Sequence, residues 1–258
     1  MSKKLPVVFT GHGSPMNAIE DNAYTRSLTA LGKSLPKPDA VLVVSAHWLT
    51  KGTTFAHNAQ KPRQIYDFYG FPEELYRVKY NPPGSPAHAE ETAALVPGTQ
   101  LETGWGLDHG AWAVLKHMYP GQNIPAFQLS IDYGKPMDYH FELGRQLAPL
   151  RERGVLILGS GNIVHNLRLY FNSAPGAAFD WAVEFDQTVK QKILDGDHKG
   201  LVDYTKLGEA AMLSVPTPDH YIPMLYTLGA ANASERADFF HEGVESSMSM
   251  RCFTLGDY

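Results

Sequence analysis

Three apolar runs rich in β-branched residues, each closing on small residues and a histidine, constrain the fold of this chain more than any other feature. Leu5-Pro-Val-Val-Phe9 stops at Thr10-Gly-His-Gly-Ser-Pro15, with His12 held between two glycines. Ala40-Val-Leu-Val-Val-Ser-Ala-His47 repeats the pattern. Val155-Leu-Ile-Leu-Gly-Ser-Gly-Asn-Ile-Val-His165 repeats it again, with the histidine a few residues beyond the strand. A strand buried on both faces of a parallel sheet needs a continuous apolar run, whereas a half-exposed strand alternates. Glycine lets the backbone turn sharply at a sheet edge and present one side chain there. Such runs, separated by helical patterns, predict a single α/β domain over residues 1–258. Its central sheet is mixed and mostly parallel, flanked by helices, with a site at the carboxyl ends of the strands.

The intervening segments fit that plan. Asp21 or Asn22 can cap a helix to about Leu35, with Tyr24, Leu28 and Leu31 on one face. Ser85-Pro86 opens a short helix to Val96, as a cap followed by a first-turn proline. The patterns predict helices over 111–118, 136–153, 162–170 (carrying His165), 179–194, 204–211 and 221–231, with strands over 55–57 and 124–131. Residues 247–253 alternate Met248, Met250 and Cys252 with Ser249, Arg251 and Phe253, which predicts a half-exposed strand. Residues 65–76 are too aromatic for solvent and too irregular for either period, and read as an ordered loop.

Charge narrows the function. The net charge is −5 with no basic run, which argues against nucleic acid as a partner. One cysteine, Cys252, excludes an internal disulfide and a cysteine-rich zinc site, and fits a reducing compartment such as the cytoplasm. The apolar run after Met1-Ser-Lys-Lys is too short for a signal peptide, and no segment approaches a membrane span.

The chemistry rests on the 11 histidines. His12, His47 and His165 follow strand ends, which in open α/β sheets meet at one edge. They lie too far apart in sequence for a local motif, so they form a spatial cluster or none. Neutral imidazole is a common metal ligand, and three of them with an open coordination position make a catalytic site. Against this, a histidine near a strand end is as often a capping or core residue. His109 and His220 sit in similar glycine- or proline-bounded loops. His57, His88, His117, His140, His198 and His241 lie in helical or polar stretches and are read as structural. The Gly-His-Gly turn lacks both phosphate-loop patterns, and Gly159-Ser160-Gly161 does not make GxSxG.

Six segments in order carry a family resemblance: GHGSP at 11–15, SAHW at 45–48, YDFYGFPEELY at 66–76, GLDHGAW at 106–112, GSGNIVHNLR at 159–168 and PTPDHYIPMLY at 216–226. The chain resembles the DODA-type extradiol aromatic ring-opening dioxygenases, relatives of the protocatechuate 4,5-dioxygenase beta subunit. The resemblance implies His12, His47 and His220 as ligands of one divalent metal per subunit, Zn²⁺ or Fe²⁺. It implies His165 as an acid/base histidine, sometimes assigned to the metal shell, and His109 as a second catalytic histidine. The implied partners are a catechol such as L-DOPA and O₂, with Tyr66 to Phe71, Trp48 and Tyr221 as apolar walls. Classical sites of the class use two histidines and a carboxylate, whereas here Asp219 stands beside a third histidine. Two other functions use the same histidines: a zinc-dependent hydrolase or lyase, and a metal-binding protein without catalysis.

Overall fold

The computed structural model describes residues 4–172 and 177–258. Among these the strands are β1 (Val7–Gly11), β2 (Ala40–Thr50), β3 (Phe55–His57), β4 (Gln100–Glu102), β5 (Ala126–Asp132), β6 (Val155–Gly161), β7 (Ala237–His241), β8 (Val244–Glu245), β9 (Met248–Ser249) and β10 (Cys252–Leu255). The helices are α1 (Ala23–Ser34), α2 (Glu73–Arg77), α3 (Pro86–Leu95), α4 (His109–Met118), α5 (Met137–Leu147), α6 (Leu167–Tyr170), α7 (Asp180–Leu194), α8 (His198–Val202), α9 (Glu209–Ser214) and α10 (Ile222–Ala230).

One eight-stranded sheet runs in the order β4-β3-β5-β2-β6-β1-β10-β7. Its centre, β5-β2-β6-β1, is parallel throughout; β10 runs antiparallel to β1 and β7, and β3 antiparallel to β5. The sheet is therefore mixed and mostly parallel, as the three apolar runs predict. Their continuity has a direct cause. Val7, Phe9, Leu42, Val44 and Ile157 point into one core with α5, α7 and α10, while Val8, Val41, Val43, Leu156 and Leu158 point into the other with α1 and α4. Successive side chains alternate between two buried faces, so neither set can be polar.

Several expectations change in detail. β2 extends to Thr50, with an irregularity against β5 between Val44 and Leu49. His47 thus sits inside a distorted stretch of strand rather than beyond its end. The helix expected over 162–170 shrinks to α6, because the Asn166 side chain caps it by accepting the Leu169 N–H. His165 precedes it in extended chain, its N–H bonded to the Ser214 carbonyl and its backbone bridged to Met248. Residues 204–211 hold a 3-10 turn, Tyr204–Lys206, and the start of α9, parted at Gly208, whose φ is +92°. The helix expected over 136–153 is α5 followed by the 3-10 segment Ala148–Arg153. The aromatic stretch is irregular as expected apart from the short α2.

The half-exposed strand expected over 247–253 is instead β9 and β10, with all of its residues buried. Arg251 misleads the pattern: its guanidinium is buried against the carboxylates of Asp186 and Glu242. The edge strands β4 and β7 carry neither an apolar run nor clean alternation and went unseen in the sequence. No helix among the described residues is long and apolar enough to cross a membrane.

Candidate metal centre

Five histidines meet where β1 and β6 end, where β2 is distorted, where α4 begins and where the chain turns into α10. His12 follows β1 directly, and its N–H bonds the Gly161 carbonyl at 3.0 Å, carrying the β1–β6 pairing one step further. Gly13 then turns the chain away with φ +61°, a conformation that strains any side chain with a Cβ. The His12 ring is oriented by Ser160. The Ser160 hydroxyl donates to the Gly110 carbonyl at 2.6 Å, so at 3.0 Å from His12 Nδ1 it can only accept. His12 is therefore protonated on Nδ1, and Nε2 carries its lone pair.

His47 Nε2 lies 3.2 Å from His12 Nε2. His220, in the turn before α10, is bonded through Nδ1 to the Asp219 carboxylate, which leaves its Nε2 free. Ligand atoms of His12, His47 and His220 lie within 4.8 Å of one another. The His47 ring centre is 5.0 Å from those of both His12 and His220.

His109 is the first residue of α4, whose N-cap, Asp108, accepts the Ala111 N–H and the Ser45 hydroxyl, tying the helix to the distorted part of β2. Asp67 accepts both the His109 N–H at 2.8 Å and its Nδ1–H at 2.9 Å. The same Asp67 oxygen is 3.3 Å from His47 Nδ1. His165 stacks face to face on His220, with ring centres 3.4 Å apart and planes 11° from parallel.

Burial first, and then crowding, keeps His12, His47, His165 and His220 neutral. Burial, then the neighbouring histidines, hold His12 and His220 well below the ordinary histidine range. Burial, with His109 next, brings His47 to about 3 despite Asp67, and burial brings His165 to about 4. Burial works against the Asp67 charge, but the hydrogen bonds and charges of His109 and His47 outweigh it and lower its pKa. Burial and then the Asp67 charge raise Asp108 to about 6. Neutral imidazole is the ligating form.

The donor set fits a divalent cation. If His47, like His12, is protonated on Nδ1, two nitrogen lone pairs face each other at 3.2 Å, an arrangement that repels unless a cation lies between them. Three imidazole nitrogens with further positions open suit Zn²⁺ or Fe²⁺. Two other groups, His47-Asp67-His109 and His165-Asp219-His220, combine two histidines with a carboxylate. In both, the carboxylate engages Nδ1 of a histidine, the geometry of a buttress behind an imidazole rather than of a co-ligand.

Above the histidines opens a cavity of about 530 Å³. His12, His47, His109, His165 and His220 all line it, with Asp67, Phe68, Tyr69, Phe71, Leu167, Tyr170, Phe171 and Met248. Three expected walls do not. Trp48 is buried against Trp105, ring centres 5.5 Å apart, and Tyr221 packs against Tyr204 and Phe185. Tyr66 packs on Trp112 and also lies outside the lining. The six histidines read as structural stay away from the cavity: His117, for example, bonds the Asn17 carbonyl, and His140 the Tyr226 hydroxyl. Sequence reasoning missed Asp67 and Ser160 as partners of the histidines, and the wall residues of 167–171. Asp67 lies inside the YDFYGFPEELY segment, and Ser160 inside a Gly-Ser-Gly turn that the GxSxG pattern does not describe.

Residues 7–252 match the family described as the catalytic LigB subunit of aromatic ring-opening dioxygenase. The chain is 46% identical over 262 residues to the 4,5-DOPA dioxygenase extradiol of Escherichia coli K12, covering 99% of this chain and 96% of that protein. It is 35% identical over 241 residues to the 4,5-DOPA dioxygenase extradiol of Beta vulgaris, covering 90% and 89%. The crystal structure of an uncharacterized protein from Escherichia coli K12 superposes with a TM-score of 0.84 at 41% identity, covering 98% of this chain and all of that one.

Proposed function

Because this chain belongs to the family of catalytic LigB subunits of aromatic ring-opening dioxygenases, we propose that it is a metal-dependent extradiol dioxygenase acting on a catechol such as L-DOPA. One observation carries the reading: nitrogens of His12, His47 and His220 converge on the floor of a cavity walled by aromatic rings. These three residues would hold one divalent ion, Fe²⁺ or Zn²⁺. When bound, the ion lowers the pKa of the catechol hydroxyls and, as iron, lets electrons pass from the catechol to O₂.

The chain's own residues do the rest. Phe68, Phe71 and Met248 favour an aromatic ring and exclude water around it. His165 acts as acid and base rather than as a ligand. An imidazole offers its lone pair in its own ring plane, and His165, stacked face to face on His220, offers its nitrogens in a parallel plane set apart from the one His220 would use to hold the ion. Neutral near pH 7, His165 accepts a catechol proton and returns it as the ring opens. His109, held from behind by Asp67, keeps Nε2 for the substrate hydroxyl. Both atoms of O₂ enter the product as one ring bond beside the hydroxyls breaks, so no outside reductant is needed. The whole of residues 1–258 serves as one catalytic domain, and its single cysteine suits the cytoplasm.

Anaerobic loading with Fe²⁺, then addition of L-DOPA and O₂, tests the proposal. The expected result is a yellow ring-opened product formed in step with O₂ uptake, and none from the Zn²⁺ form. Iron bound through His12 without O₂ uptake on any catechol would leave the hydrolase or lyase reading.

A further inference from the structure

Asp67 belongs to the aromatic segment that walls the cavity, yet its carboxylate faces the histidines. Its Oδ1 accepts the backbone N–H of His109 at 2.8 Å, which pins the segment to the start of α4. Its Oδ2 is 2.9 Å from His109 Nδ1 and 3.3 Å from His47 Nδ1. The two rings lie 4.0 Å apart between centres, tilted by 49°, which brings both Nδ1 atoms to the same oxygen: His109 at hydrogen-bonding distance and His47 in the longer contact. A carboxylate only accepts, and a ring nitrogen facing it must carry the proton.

We propose that Asp67 is a shared positioning residue: one carboxylate oxygen sets the tautomer of both His47 and His109, turning both Nε2 lone pairs to the cavity. The inference deepens the metal-site reading above and rests on it for the role of His47. It also gives the aromatic segment a second task, since docking the cavity wall and orienting a ligand become one event. His12 and His220 have separate anchors, Ser160 and Asp219, so Asp67 acts on only two of the five rings.

Asp67→Asn separates these cases. The amide has one acceptor where the carboxylate has two. If its oxygen keeps the His109 N–H, its NH₂ meets both Nδ1 atoms and drives them to the opposite tautomer. Long-range proton–nitrogen NMR of the histidine rings reads the tautomers, and calorimetry with Zn²⁺ alone reads the affinity. In the wild-type protein we expect Nδ1–H on His109 with or without Zn²⁺, and on His47 in the Zn²⁺ form. In Asp67→Asn, His109 converts to Nε2–H and Zn²⁺ binds about ten- to a hundredfold more weakly. His12 and His220 keep their Nδ1–H signals and report that the fold is intact. An Nε2–H signal from His109 in the wild-type protein overturns the inference whatever the variant does. So does a variant with intact His12 and His220 signals that binds Zn²⁺ like the wild type. Failure of the wild type to bind Zn²⁺ or Fe²⁺ would sink the dioxygenase reading instead, while the His109 tautomer in the metal-free protein would still decide the anchor.

Discussion

At the scale of the residue, His12 can offer Nε2 because Ser160 accepts the hydrogen bond of its Nδ1–H, while the Gly110 carbonyl accepts the Ser160 hydroxyl. Ser160→Ala removes a link that both neighbours need. The His12 ring loses its orienting partner and the Gly110 carbonyl its donor, in a site with no water-exposed alternative for Ser160. Metal affinity measured by calorimetry should fall about ten- to a hundredfold. An unchanged affinity would mean that Ser160 is packing and no more. The sequence exposed His12 and His220 through their glycine- and proline-bounded settings, but Ser160 stands 148 residues from His12. A buttress becomes visible only once two strands are known to be neighbours. Asp67 was hidden in the same way, 42 residues from His109.

At the scale of the element, the site depends on how closely the turn before α10 approaches the end of β6. The Asn162 N–H bonds the His220 carbonyl at 2.8 Å, and a Cβ on Gly161 would lie 2.1 Å from that same oxygen. Gly161→Ala must push the turn carrying Asp219 and His220 off the strand. Urea unfolding should show a loss of about 1–3 kcal/mol, with weaker metal binding. A variant matching the wild type in both would show that the turn adapts freely. The central strands were legible because burial on both faces forces a continuous apolar run. The edge strands were not, since Gln100 and Leu101 of β4 are exposed and β7 mixes polar with aromatic residues. Arg251 was misjudged for a related reason. A buried arginine reads as a surface residue until its partners Asp186 and Glu242 are placed beside it.

At the scale of the whole molecule, burying neutral histidines couples stability to pH. Burial brings His47 to about 3 and His140 and His165 to about 4, against 6.5 in an unfolded chain. Between these values the unfolded state binds more protons than the folded one. These three histidines therefore contribute fully above 6.5 and lose that contribution as pH falls toward 4, by up to ~1.4 kcal/mol per pH unit each. Urea midpoints of metal-stripped protein should drop between about pH 7 and about pH 5, and a flat profile there would contradict the buried, neutral cluster. The same cluster could hold a metal beneath an aromatic-walled cavity, and on that rests the proposed ring opening. Isotopically labelled O₂, supplied to the Fe²⁺-loaded protein with L-DOPA, tests this most directly by mass spectrometry of the product. Both labelled atoms should appear in a ring-opened product of the wild type, with no such product from His12→Ala. Product whose new oxygen comes from water, or label incorporated equally well without His12, would contradict it.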